Sequence, residues 1–133
     1  MTTFTHIALV AIGSACGGLL RWAVGLMAGR WLGAAFPWGT LAINVSGCLF
    51  LGWFSTLLIE RLPLTTLGWL RSDDLRLLVA IGFTGSYTTF STYEWESHLL
   101  LRDGQTVFGF AYLVGSVVLG LVAVRLGVML ARI

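Results

Sequence analysis

Four long apolar runs, sparse in charge, constrain this 133-residue chain more than any other feature. They extend from about Phe4 to Met27, Trp38 to Ile59, Leu75 to Leu101 and Val107 to Leu130. A helix crosses a hydrocarbon core of roughly 30 Å with roughly 20 residues, and each run supplies at least that. With 57% of residues hydrophobic and 11% charged, a water-soluble domain of this length has too little interior to hide its apolar surface. The chain therefore reads as an all-α membrane protein, one four-helix domain over residues 1–133 with no repeat, low-complexity tract or second domain.

Three connectors separate the runs: Ala28–Pro37, Glu60–Asp74 and a very short Arg102–Thr106. Arg30, Arg61, Arg71, Asp73, Asp74, Arg102 and Asp103 gather at or near them, and Trp31, Trp38 and Trp69 sit near predicted boundaries as interfacial anchors do. The side shared by the termini and the second connector carries Arg61, Arg71, Arg76 and Arg132, against Arg30 and Arg102 opposite. This weak positive-inside bias favours cytoplasmic termini, yet it is small enough to permit insertion both ways and an antiparallel pair. All eight positive side chains are arginine, and a dispersed net charge of +2 gives no footprint for nucleic acid. Cys16 and Cys48 fall in apolar spans, where packing is expected rather than a disulfide. The N-terminus lacks a basic n-region and is expected to be retained as the first span.

Within the third run, Gly82–Thr92 reads GFTGSYTTFST, eight of eleven residues being Gly, Ser or Thr. Two glycines and four β-branched threonines weaken an α-helix through backbone entropy and restricted χ1 rotamers. In lipid a loosened backbone survives only where protein buries it or where it lines a polar cavity. The third helix is therefore expected to break at mid-membrane, where freed carbonyls and half-helix ends can face ions.

Small residues mark the packing faces. Gly13 and Gly17 form a small-xxx-small pair in the first run, and Gly109, Tyr112, Ser116 and Gly120 share a face of the fourth. Plain helix packing accounts for most such glycines, but four helices are too few to enclose a roomy pore, so dimerisation is expected. Arg21 shares the Gly13–Gly17 face; a charge at that depth must face protein or water, either supplying positive potential to an anion path or tying helices together. Asn44, with Thr40 one turn earlier, can donate to an anion or bond across a helix interface. Glu94 and Glu96, two apart, cannot share one helix face; one is a candidate partner for Arg21 or a proton-linked group. His6 and His98, near span ends, are expected to be interfacial polar groups.

No catalytic triad, metal-ligand spacing or phosphate loop is present in the sequence, so enzyme chemistry has no foothold. A cation path would want carboxylates in the spans, and the first, second and fourth have none. The deep charge is positive, hydroxyls are plentiful, and aromatic edges carry partial positive charge. Phe90 and Tyr93, three apart, can present two edges from one face, although rings in a helix more often simply pack. The residues thus point to a conductor of a small anion.

The motifs GGLLRW (Gly17–Trp22), GTLAINVSG (Gly39–Gly47) and GFTGSYTTFSTY (Gly82–Tyr93) resemble the small bacterial fluoride channels called Fluc or CrcB, in order and spacing over essentially the whole chain. The resemblance implies an antiparallel, dual-topology homodimer in the bacterial inner membrane, with two fluoride pores at the subunit interface and passive export of cytoplasmic fluoride. Phe90 matches the first ring of the family's phenylalanine pair; Tyr93 holds the place of the second, a departure that adds a hydroxyl. Asn44 matches the pore-lining asparagine, and Arg21 the arginine of the vestibule. Gly85 and Thr88 match the break whose carbonyls, from both subunits, hold a central structural sodium ion. Thr40, Ser91, Tyr112 and Ser116 resemble the hydroxyl track beside the rings, and Glu96 the carboxylate near its end. Glu94 is an additional charge, and Gly120 stands where a further hydroxyl would continue the track.

Two other functions fit parts of the pattern. A dimeric four-span exporter of organic cations, similar to the small multidrug transporters, shares the size and weak charge bias, but centres on a glutamate in the first span, where this chain has Arg21 instead. A non-conducting assembly subunit would need only the glycine faces.

Overall fold

A computed structural model describes residues 2–61 and 71–133. Trp69, expected as an interfacial anchor, lies outside the described residues. Helix α1 spans Thr3–Leu32 and α2 spans Trp38–Glu60. The third segment begins with α3, residues 72–87, in which an α-turn at Ser72–Leu75 passes into a π-helix at Arg76–Thr84 and returns to α-geometry at Gly85–Tyr87. Helix α4 covers Phe90–Arg102 and α5 Thr106–Arg132. No strand occurs among the described residues. Helices α1, α2 and α5 are each long and apolar enough to cross a membrane. The third segment is divided between α3 and α4.

Local chemistry favours the division of that segment. Thr88 and Thr89 leave the helix for extended backbone, at φ −81°, ψ 161° and φ −151°, ψ 121°. Both are β-branched, which favours extended over helical backbone. Thr89 then caps α4, its hydroxyl oxygen accepting the Thr92 N–H at 3.3 Å. The glycines of the motif do not form the gap. Gly85 is ordinary helix (φ −62°, ψ −34°), and Gly82 lies within the π-helix. There the Thr84 hydroxyl donates five residues back to the Val79 carbonyl, in step with the π-helical repeat.

The packing is inverted relative to a soluble bundle. Leu19, Trp22, Val114 and Val117 are exposed, whereas Gly13, Gly17, Gly47, Gly52, Gly120 and Gly127 are buried. Where the solvent is lipid, burying leucine gains little, and close backbone approach between helices supplies the cohesion. Gly13 and Gly17 of α1 press on the Leu78 and Phe83 carbonyls of α3. Gly52 and Gly127 bring α2 and α5 together in the same way, against Val124 and Leu49 backbone. A buried cluster of Tyr93, Leu100 and Tyr112, flanked by Phe36, Leu41 and Leu113, joins α4 to α5 and α2.

The ion pairs among the described residues sit at the ends of the bundle. Glu60 and Arg132 pair across the ends of α2 and α5 at 2.6 Å. His6 is not a lone interfacial group: its Nε2 lies 3.4 Å from Oδ1 of the buried Asp74, whose other oxygen accepts the Arg71 N–H. No spacing rule could pair residues so far apart in sequence; the packing of α1 on α3 does it.

Candidate functional site

Two grooves meet at the interruption. The smaller, about 320 Å³, is lined by Asn44, Thr84, Gly85, Thr88, Phe90, Tyr93 and Ser116 among others. The larger, about 510 Å³, runs from the glycines at the end of α1 past Arg21, Thr40 and Glu96 to the α4–α5 turn. Thr89 lines both.

In the smaller groove, Phe90 is 74% exposed in a single chain, while the Tyr93 ring behind it is buried. Their centroids lie 5.8 Å apart with planes at 45°. The Tyr93 hydroxyl, the departure noted in the sequence, donates to the Leu113 carbonyl of α5 at 2.8 Å. It is therefore spent between helices. Ser116 lines the same groove, and its buried Oγ has no hydrogen-bond partner among the described residues. A buried hydroxyl left without a partner costs about 1–3 kcal/mol, so this position favours a ligand that can bond to it.

The carboxylate of Glu96 organises a second cluster. Its Oε1 accepts from the Thr40 hydroxyl and its Oε2 from the Tyr112 hydroxyl, each at 2.8 Å. Tyr112 is 1% exposed, and its ring stands 5.3 Å from Tyr93. Thr40, Glu96, Tyr112 and Tyr93 thus form one connected wall from α2 through α4 to α5. Charge-assisted bonds to a carboxylate are the strong kind, and they hold both hydroxyls in place. Ser91, also expected in the track, is exposed at the start of α4 and lines neither groove.

Arg21 and Asn44 both turn to the broken backbone. Arg21 Nη1 lies 3.4 Å from the Thr88 carbonyl, and neither Glu94 nor Glu96 pairs with it. Asn44 bonds Thr89 twice: its Nδ2 donates to the Thr89 carbonyl at 3.0 Å, and its Oδ1 accepts the Thr89 N–H at 2.8 Å. Thr89 was part of the recognised motif but not among the expected site residues. The available signal was the adjacent β-branched pair, which marks where helical backbone is least favoured. Tyr87 was also missed; it is buried, and its hydroxyl meets Ser46 of α2 at 2.9 Å.

An all-helical bundle with lipid-compatible outer faces, and with polar side chains drawn inward around a divided helix, defines a multi-pass plasma-membrane protein of the transport type. The family described as CrcB-like protein, Camphor Resistance (CrcB), matches residues 8–128, and this chain belongs to that family. The chain is similar to the protein named fluoride-specific ion channel FluC of Trichormus variabilis, with 40% identity over 131 residues, 98% of this chain and 91% of that protein. A protein of the same name from Chloroflexus aurantiacus is 43% identical over 127 residues, 96% of this chain and 95% of its own length. Another from Solibacter usitatus is 44% identical over 124 residues, covering 93% and 96%.

Proposed function

We propose that this chain is a fluoride-specific ion channel of the bacterial inner membrane, working as an antiparallel homodimer that lets cytoplasmic fluoride leave down its own gradient. The observation that carries this is the match, across nearly the whole of both chains, to proteins named for that activity. The geometry supports it. A small, strongly hydrated anion needs donors to replace its water, and the smaller groove collects them: the edge of Phe90, the partnerless hydroxyl of Ser116 and the second N–H of Asn44. Arg21 places positive charge in the larger groove, on the far side of Thr89. Thr40 and Tyr112 reach the ion only by exchanging Glu96 for it, so the carboxylate competes with fluoride for those hydroxyls.

A second copy completes the structure. Phe90 and Gly85 are open to the outside of one chain, at the mouth of a groove whose lining is partly polar. Lipid is a poor cover for polar backbone, and a second copy of the same face is a good one. The break lies at mid-membrane in this arrangement. The residues also fit the structural sodium ion. In a continuing helix the Thr89 N–H would bond the Gly85 carbonyl; here it bonds Asn44, leaving that carbonyl available. The Thr88 carbonyl is shared with Arg21 and is the less favourable ligand of the two. When bound, the ion would neutralise carbonyl dipoles where the subunits cross.

The test is efflux from liposomes holding the purified protein, loaded with fluoride or chloride and voltage-clamped with a potassium ionophore. Fluoride release with chloride retained is the expected result. Dimeric protein that releases no fluoride would overturn the channel assignment and favour cation export or an assembly role.

A further inference from the structure

We infer that Asn44 is a positioning residue that creates the helix interruption: by capturing the N–H of Thr89 it withholds that group from Gly85, and so leaves the Gly85 carbonyl free to ligate a monovalent cation. The role rests on the proposed channel only for the identity of the cation. The geometry itself is that of one side chain on α2 and one peptide segment between α3 and α4.

Three observations converge. First, α3 has returned to α-geometry by its last bond, Thr88 N–H to the Thr84 carbonyl at 3.0 Å, and the next one in sequence is the one that fails. Second, the two amide contacts fix each other. Oδ1 faces a donor and Nδ2 faces an acceptor, and the flipped amide would set like groups together at both ends. Third, Thr89 is the residue that borders both grooves, so the clamp also sets the partition between them. An amide pair of this kind mimics a strand partner for one extended residue, which is the conformation Thr89 adopts. It satisfies both backbone polar groups of Thr89, which a break in lipid would otherwise leave orphaned.

Hydrogen exchange of backbone amides in the purified, micelle-held dimer tests this without depending on ion flux. In the unaltered protein the Thr89 amide is expected to be protected while that of Phe90, in the first turn of α4, exchanges freely; equal exchange at the two would overturn the inference. Asn44→Ala should return the Thr89 N–H to the Gly85 carbonyl and carry the helix onward, so that the Phe90 amide gains a partner and its exchange slows by about tenfold or more, whereas Asn44→Asp, which keeps an acceptor at the same place, should leave Phe90 exchanging freely. Should Asn44→Ala fail to dimerise, Asn44→Ser, too short to bridge both groups, carries the same readout. The second arm is the dependence of the thermal midpoint on sodium concentration, which binding of an ion to the native state requires. It should vanish in Asn44→Ala and persist in Asn44→Asp. Phe90 exchange left unchanged in Asn44→Ala, or sodium dependence retained there, overturns the inference. Failure of fluoride efflux in the unaltered protein, with the exchange pattern intact, would instead remove only the channel reading.

Discussion

At the scale of single residues, two of the three buried tyrosines, Tyr93 and Tyr112, look alike in the sequence and differ in what their hydroxyls hold. Tyr93 donates to a backbone carbonyl that already serves its own helix, so Tyr93→Phe removes one neutral bond and leaves the ring. The expected cost is about 0.5–1.5 kcal/mol, read as a lower thermal midpoint, with fluoride efflux retained. Tyr112 donates to a carboxylate, and Tyr112→Phe leaves Glu96 with the Thr40 hydroxyl alone. Bonds to charged groups contribute about 1.5–3 kcal/mol, so this loss should be the larger one, and efflux should fall with it. A Tyr93→Phe variant that stays as stable but conducts differently would place its hydroxyl in the ion path instead.

At the scale of elements, α1 and α3 depend on contact between backbones. A Cβ on Gly17 would run into the Phe83 carbonyl, and backbone cannot swing aside as a flexible side chain can. Gly17→Ala should therefore cost about 3 kcal/mol, the upper end of overpacking, and appear as loss of the folded species in size-exclusion chromatography. Gly18, one residue on, meets open space within one chain, and Gly18→Ala should fold normally, gaining up to about 1 kcal/mol of helix propensity. The π-helical stretch of α3 lies against this glycine face, and Gly82 there is also tightly packed, since a Cβ placed on it would lie 2.8 Å from the Val10 carbonyl.

At the scale of the whole molecule, the arginine distribution leaves orientation weakly specified, while the open groove at Phe90 calls for a partner. The proposed antiparallel pair would meet both conditions. Ala35→Cys, in the exposed α1–α2 connector of a protein carrying Cys16→Ser and Cys48→Ala, reports this directly. An impermeant thiol reagent outside intact cells should label about half of the protein, because the weak charge bias leaves the two orientations close to equal in energy. Labelling of all or none would mean one fixed orientation, and hence a parallel arrangement or a monomer.

The sequence by itself determined the class and the parts. Apolar run length is a local property, so the helix positions were legible from it, with α1 extending further than the first run, to Leu32. The GFTGSYTTFST motif located the weak point of the third segment, because propensity is also local. The tertiary structure decided which residue breaks and what each polar group does. The gap fell at Thr88 and Thr89 instead of at a glycine because Asn44, far away in sequence, offers Thr89 both a donor and an acceptor. Glu96 took Thr40 and Tyr112 as partners, and His6 took Asp74, through contacts between helices. Spacing tells which side chains share a face. Which group across the interface satisfies them is fixed only when the helices pack, because a buried polar group bonds to whatever complementary atom the packing delivers.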